Sequence, residues 1–404
     1  MPLLLQRLPD MHIHRVLAGY TVKTFSELRQ FMKYHFFSLL TLLALGLTTC
    51  KDGGDPTRPD LVIPATYNAT TFSANNMVQS GVISRFSTLV SEAKKGRING
   101  TVVNPATLTQ LFDADNPSLK SQTTAYYAAL LEGSGKWFDA LSQASGNTYT
   151  PGTPVGQGGT FGGYLFDENG LEMEQLVDKG LFGAALYNHA LQLTNSTMTV
   201  ATADQMLTIV GGNPTFPNSD DATKHAQPDK YLLNYAARRD KNDGTGLYTQ
   251  IKNNFIKLQA ALAAGADYNP ERDAAIADIQ LLLEKVNAAT TINYCHSVIS
   301  TLSTTNPTDE QKAAALHAYG ECVGFIHGWR TVAAKKISDS EIDEILILLN
   351  APVNGTPQSY LFVTDALNQL PKLQQVIAKL KTLYGFSDQE IEDFKKNWVK
   401  EQNR

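Results

Sequence analysis

The sequence predicts an all-α protein, and three observations support this fold class. An apolar periodicity of 3.6 residues follows Asn269 and continues to about Ser303, with Ile279, Leu283 and Val286 on one helical face. Capping patterns mark the starts of later helices. No segment shows the polar–apolar alternation of a convincing strand. We therefore expect a body made of packed helices.

The later helix starts carry capping boxes, in which a hydroxyl residue precedes Glu or Gln by three positions. The three pairs are Thr308 with Gln311, Ser338 with Glu341, and Ser387 with Glu390. Residues 170–193 form another long apolar segment, and residues 360–384 predict two helices broken at Pro371. The glycine-rich stretch 148–164 lacks the Lys-Ser/Thr end of a phosphate loop, so we expect a connecting loop there.

The amino-terminal region predicts a secretory signal peptide within residues 1–49. A short basic start follows Met32, an apolar run covers residues 36–47, and small residues precede Cys50. The apolar run is too short to span about 30 Å of hydrocarbon. We interpret residues 1–31 as the result of a start codon assigned too far upstream.

The segment Leu47-Thr48-Thr49-Cys50 resembles the lipobox of bacterial lipoproteins, although Thr49 departs from the usual Gly, Ala or Ser. The acidic and lysine cluster at residues 51–55 resembles the export signal of Bacteroidetes lipoproteins. These resemblances imply lipid on Cys50 and an outer-membrane protein exposed at the cell surface, or otherwise in the periplasm. An ordinary secretory signal with an incidental cysteine is the alternative.

The processed chain is expected to carry 29 Lys and Arg against 37 Asp and Glu, a net charge of −8. This acidic balance argues against nucleic acid as a partner. Residues 50–67 are rich in Pro, Asp and Thr and predict a flexible linker, followed by a helical domain over residues 68–404. Cys295 and Cys322 remain for a disulfide or two buried thiols, although their unequal distances from the connecting turn make bridging geometry unfavourable.

The candidate site is the pair His317 and Glu321, four residues apart in the helix capped at Thr308. The pair could bind a metal ion or another ligand, relay a proton, or fix a tight helix crossing. Gly324 and Gly328 lie on the same stripe, and such spacing allows another backbone to approach closely. One helix supplies only two of the three or four ligands that a metal requires.

A second segment repeats this layout. His225, Asp229 and Arg238 have the same spacing as His317, Glu321 and Arg330, which suggests an internal duplication and two helical bundles. Pro228 predicts a helix start, so His225 is expected on a loop. We keep His225 and Asp229 as candidate members of the same ligand-binding or structural site.

The chain resembles uncharacterised Bacteroidetes lipoproteins related to imelysin. The resemblance rests on residues 164–184, on Lys224-His225, and on residues 320–326 before Arg330. It implies an all-helical, two-bundle protein at the cell surface or in the periplasm, of a group in which some members are associated with iron or haem uptake. The residues 226–228 depart from the family pattern after His225.

The resemblance leaves three functions open. The first is a non-enzymatic, surface-anchored binding protein for a small molecule or a metal ion, with a groove near His225, His317 and Glu321. A divergent metallopeptidase is the second, although no Gly-x-His-x-x-Glu signature or recognisable nucleophile is present. A glycan-binding uptake lipoprotein is the third. The cofactor and the protein partners are not indicated.

Overall fold

The computed structural model describes residues 58–152 and 154–404, so the predicted signal peptide and Cys50 lie outside the described residues. The chain divides into Met1–Pro59, of which only two residues are described, and the compact unit Asp60–Arg404. Within the described part, no helix has the length and apolarity needed to cross a membrane.

The compact unit is mostly helical, which confirms the all-α prediction. Its helices are α1 (Phe72–Asn75), α2 (Met77–Lys94), α3 (Pro105–Asp113), α4 (Leu119–Gln122), α5 (Ala125–Leu131), α6 (Trp137–Ala144), α7 (Met173–Asp178), α8 (Asn188–Thr194), α9 (Val200–Ile209), α10 (Tyr231–Arg239), α11 (Leu247–Ala264), α12 (Asn269–Leu302), α13 (Asp309–His327), α14 (Asp339–Leu348), α15 (Leu361–Thr364), α16 (Ala366–Tyr384), α17 (Asp388–Asp393) and α18 (Trp398–Glu401). Short 3₁₀ turns follow α2 and α11, at Lys95–Arg97 and Ala266–Tyr268.

Helix α12 is the central element of the core. It packs against α10, α11, α13 and α16, and residues 286–292 are buried on every side of the helix. The long helix predicted over residues 269–303 is confirmed. The prediction of a single apolar face fails at residues 286–292, because neighbouring helices surround this part of the helix.

All three predicted capping boxes form at the helix starts where the sequence placed them. In each case the hydroxyl accepts the backbone N–H three residues later, and the Glu or Gln side chain accepts the N–H of the cap residue. These bonds satisfy backbone donors that have no partner within the helix.

A small β-hairpin replaces part of the predicted loop over residues 148–164. Strands β1 (Gly159–Phe161) and β2 (Tyr164–Phe166) pair antiparallel, and Gly162 and Gly163 connect them with φ of +55° and +85°. Two successive positive φ angles are typical of the tight turn that joins twisted strands. The sequence did not indicate this hairpin because three-residue strands are too short to show alternation.

The predicted helix break at Pro371 is also wrong. The interruption lies at Asp365, between α15 and α16, whereas Pro371 lies inside α16. Proline removes only the backbone hydrogen bond to the carbonyl of Leu367, a residue that is 87% exposed. Water can replace that bond, so the helix tolerates the proline.

The apolar segment predicted over residues 170–193 folds as α7, a π-helical turn at Phe182–Tyr187, and α8. Residues 169–187 are all buried. This run includes Glu172, Glu174, Asp178 and Lys179, whose charges need compensation inside the protein.

Candidate functional site

Helix α7 and the residues after it cross α13 at backbone contact distance. A Cβ atom added at Gly324 would lie 2.5 Å from the carbonyl oxygen of Gln175, and one at Gly328 would collide with the carbonyl of Gly180. At Gly320 an added Cβ would lie 3.3 Å from the Cβ of Glu172. The glycine spacing therefore allows the close backbone approach that the sequence predicted, because only glycine leaves room for it.

The crossing brings together a set of charged side chains, which we name the buried charge cluster. Its members come from the end of α2 and the 3₁₀ turn after it, from residues 172–179 and from α13. They are Lys94, Arg97, Glu172, Glu174, Asp178, Lys179, His317 and Glu321. Glu172 and Glu174 have no exposed surface, and Glu321 is 5% exposed. Burial at this depth requires that each carboxylate has a charged or hydrogen-bonding partner.

Arg97 neutralises the two carboxylates that are completely buried. One of its terminal nitrogens lies 2.9 Å from Glu172 Oε1 and also pairs with Glu174. Lys94 approaches Glu174 at 3.7 Å, and Gln175 donates to the same carboxylate at 2.8 Å. Glu172 Oε2 accepts a hydrogen bond from His317, whereas Oε1 has the ion pair with Arg97 and no hydrogen bond.

Lys179 joins residues of α7 to α13. Its Nζ lies 2.9 Å from Asp178 Oδ2 and 3.4 Å from Glu321 Oε1, and it faces the rings of Phe182 and Tyr235 at 5.6 Å. Burial tends to raise the pKa of Asp178, but Lys179 and Lys94 outweigh it and lower that pKa. Asp178 is therefore a stable anion at neutral pH.

His317 lies at the solvent edge of the cluster, with its side chain 22% exposed. Its Nδ1 is 2.7 Å from Glu172 Oε2, whereas its Nε2 is 3.9 Å from Glu321 Oε2. The imidazole stacks on Tyr164 with centroids 4.3 Å apart, and Arg97 faces the same tyrosine ring. Burial tends to lower the pKa of His317, but the hydrogen bond and charge of Glu172, with the charge of Glu321, raise it overall.

Glu174 is the carboxyl group of the cluster whose pKa is raised to near neutrality. Burial and the neighbouring anion Glu172 raise its pKa to about 7, and Arg97 opposes the rise. The carboxyl can therefore accept a proton near neutrality without leaving the interior. The cluster as a whole can exchange protons, but its carboxylates are already bonded to cations.

The predicted pair His317 and Glu321 is brought to one place, but each residue has its main partner elsewhere. His317 bonds to Glu172, and Glu321 pairs with Lys179. Tyr164, Glu172 and Lys179 were part of the family resemblance and were not predicted as site residues. The available signal was the presence of four charged residues within an apolar segment at 172–179.

The structure places His225 and Asp229 outside helices, in the segment between α9 and α10. Asp229 is 2% exposed, accepts the N–H of Ser219 at 3.1 Å, and has its pKa raised to about 7 by burial. Across the described ranges, no hydrogen bond or ion pair joins His225 to Asp229, His317 or Glu321. The expected loop position of His225 is confirmed.

The residues of the two segments have the same spacing in the sequence, but their surroundings in the structure differ. Arg238 pairs with Asp220 at 2.6 Å, whereas Arg330 pairs with Asp343 at 2.8 Å. One histidine lies in a loop and the other in a helix. The internal duplication stays a prediction.

The two cysteines in the described part of the chain are free and completely buried, with their sulfur atoms 3.8 Å apart. The unequal distances of the two cysteines from the connecting turn therefore do not keep the thiols apart. Cys322 also contacts the carbonyl of Thr291. Burial and the neighbouring thiol raise the pKa of Cys322 well above its ordinary value, so this thiol is protonated and unreactive.

Between residues 58 and 404, apart from position 153, no three His, Cys, Asp or Glu side chains are arranged to hold a metal ion. In the buried charge cluster, Arg97, Lys179 and His317 occupy the carboxylate oxygens that would otherwise serve as ligands. A metal ion there would have to displace these cations from the carboxylates.

Comparison with protein families gives one match. The family model described as "Domain of unknown function (DUF4856)" matches residues 215–387, which is less than half of the chain. The matched region contains His225, Asp229, His317 and Glu321, but not the charged residues 172–179. No curated protein and no solved structure matches the chain significantly.

Substituting Gly324→Ala should destabilise the protein by about 1–3 kcal/mol, because the new methyl group must push the Gln175 carbonyl away. Gly81→Ala is the matched control, since its Cβ would meet only the flexible end of Arg85 within α2. The control should be neutral or stabilise by up to about 1 kcal/mol. Denaturant unfolding measures both, and equal stabilities would contradict the backbone contact.

The contribution of His317 to stability should depend on pH. Because its folded-state pKa is raised, this contribution is complete below the unfolded value of 6.5 and is lost as pH rises through the folded pKa. The difference in unfolding free energy between the native protein and His317→Gln should therefore shrink with rising pH.

His296 provides a control of opposite sign for this pH dependence. Burial lowers its pKa, so its contribution should be lost as pH falls. Urea titrations of native protein, His317→Gln and His296→Gln across neutral pH make the comparison. Parallel slopes for the two variants would refute the assigned pairing of His317 with Glu172.

Proposed function

We propose that this protein is a non-enzymatic binding protein, anchored by lipid on Cys50 at the outer membrane and involved in nutrient capture. The lipobox-like segment and the following Lys51-Asp52 pair support the anchored position. The acidic balance of the processed chain argues against nucleic acid as a partner.

The observation that carries the non-enzymatic proposal is the pairing of the charges in the buried charge cluster. Glu172 uses both oxygens, on Arg97 and His317, and Glu321 faces Lys179. A general base needs access to the proton that it removes, and a catalytic metal needs an open coordination position. Paired carboxylates with little or no exposed surface fit a structural role, in which the cluster fixes α13 against residues 172–179.

The divergent metallopeptidase is the competing function, and Glu321 is its only proposed base. We expect no peptide hydrolysis that depends on this residue. Glu321→Gln and the control Glu310→Gln, an exposed residue of the same helix, should give the same result with fluorescent casein, while circular dichroism reports on folding. Hydrolysis that a chelator and Glu321→Gln abolish, but Glu310→Gln does not, would establish the peptidase instead.

Lipid attachment is tested directly at Cys50. Cys50→Ala should lose labelling by a fatty-acid analogue and should leave the membrane fraction, because the thiol that carries the lipid is gone. Thr49→Ala is the control and should keep both properties, since alanine is usual at that position. Protease added to intact cells reports on surface exposure. Membrane retention of Cys50→Ala would contradict the lipid anchor.

Iron and haem are the nutrients that the family resemblance suggests. Their test is the melting temperature of the purified protein with ferric chelates and with haem, together with metal analysis by mass spectrometry. Unchanged melting and no stoichiometric metal would remove iron and haem as ligands and leave the binding proposal to other small molecules.

A further inference from the structure

A cleft of about 600 Å³ with a mixed polar and apolar lining lies between α1 and α2 on one side and residues 208–231 on the other. We name it the serine cleft. One wall is a stripe of short polar side chains at helical spacing, formed by Ser73, Asn76, Ser80, Ser84 and Ser87. The volume is within the range of small-molecule sites, and the cleft is separate from the buried charge cluster.

The serine cleft contains buried polar atoms that lack a partner. Asn76 is only 3% exposed, and its amide nitrogen donates to the Phe72 carbonyl at 2.6 Å. Its Oδ1 atom has no hydrogen-bond partner in the described chain, and the same is true of the hydroxyl of Thr208 on the facing wall. An unpaired buried acceptor costs free energy, so a ligand donor that reaches Asn76 Oδ1 would be stabilised by it.

The far wall is held in a fixed and costly backbone conformation. Tyr231 has φ of +48°, which is rare for an aromatic residue. Gly211 leaves no room for a Cβ beside the Lys230 carbonyl, and its own carbonyl accepts the Lys230 N–H at 2.8 Å. The Tyr231 hydroxyl reaches Ser87 across the end of the cleft at 2.7 Å. These contacts preform the cleft before any ligand enters.

The chemistry of the lining limits the class of ligand. No Asp or Glu lines the cleft, and Lys230 is its one charged residue. The remaining lining consists of hydroxyls, amides, the rings of Phe72 and Tyr231, two glycines and the apolar side chains of Ile83, Ala226 and Pro228. Hydroxyls and amides both donate and accept hydrogen bonds, and aromatic rings pack against apolar C–H faces. A metal ion would find no anionic ligand, and an anion would find a single cation.

We propose that the serine cleft binds an uncharged polyhydroxylated ligand, a mono- or disaccharide. This inference rests on the proposed binding function and names its ligand class. The stripe Ser80, Ser84 and Ser87 pairs with sugar hydroxyls, Asn76 accepts from one of them, and Phe72 covers a ring face. The binding does not involve His317 or Glu321.

The test uses the purified full chain and a panel of neutral mono- and disaccharides, with isothermal calorimetry as the readout. At least one saccharide should bind, and Ser80→Leu and Ser84→Leu should each weaken it at least tenfold by removing a hydroxyl and narrowing the cleft. Thr88→Leu is the control, because Thr88 is exposed on the same helix outside the cleft. All three positions are exposed in α2, so folding should be preserved.

Two results would overturn this inference. One is the absence of binding by every neutral saccharide at millimolar concentration, and the other is binding that Ser80→Leu and Ser84→Leu leave unchanged. Binding of haem or a ferric chelate without saccharide binding would refute the saccharide while the binding function stands. Peptidase activity dependent on Glu321 would refute the binding function itself.

Discussion

The close approach of the Gln175 carbonyl to Gly324 is the contact on which the centre of the protein depends. Because the two backbones touch, Glu172 and Lys179 are carried into the interior beside α13. A side chain at position 324 would separate the two segments and leave those charges without their partners. Gly324 thus sets the distance between the two backbones, and this distance allows Lys179 to pair with Glu321.

The buried charge cluster illustrates how a protein can bury several carboxylates without making a reactive site. Each anion has a cation or a hydrogen-bond donor from another segment, as with Arg97 at Glu172 and Lys94 at Asp178. Such pairs add little net stability relative to apolar packing, but removing one partner leaves the other charge buried and uncompensated. The cluster therefore specifies which segments lie together. This role is consistent with a rigid binding protein whose ligand is held elsewhere.

The serine cleft, which is the proposed ligand site, and the buried charge cluster lie in different parts of this structure. The serine cleft has mostly neutral side chains and an unpaired Asn76 acceptor, whereas the buried charge cluster has carboxylates that are paired with cations. Histidine and glutamate are the usual candidates for a functional site in a sequence because these residues bind metals and transfer protons. Serines on an exposed helix face attract no such attention, since the same pattern occurs on ordinary solvated surfaces.

The sequence by itself determined the helical class, the three capping boxes, the extent of α12 and the glycine face of α13. These features depend on interactions within a few residues, which a linear pattern records. Only the tertiary structure decided that His317 pairs with Glu172 and Glu321 with Lys179, and that the Cys295 and Cys322 thiols meet. It also decided that His225 and Asp229 lie in a separate loop and that a cleft opens beside α2. Such contacts join residues far apart in the chain, and their geometry depends on how whole helices cross.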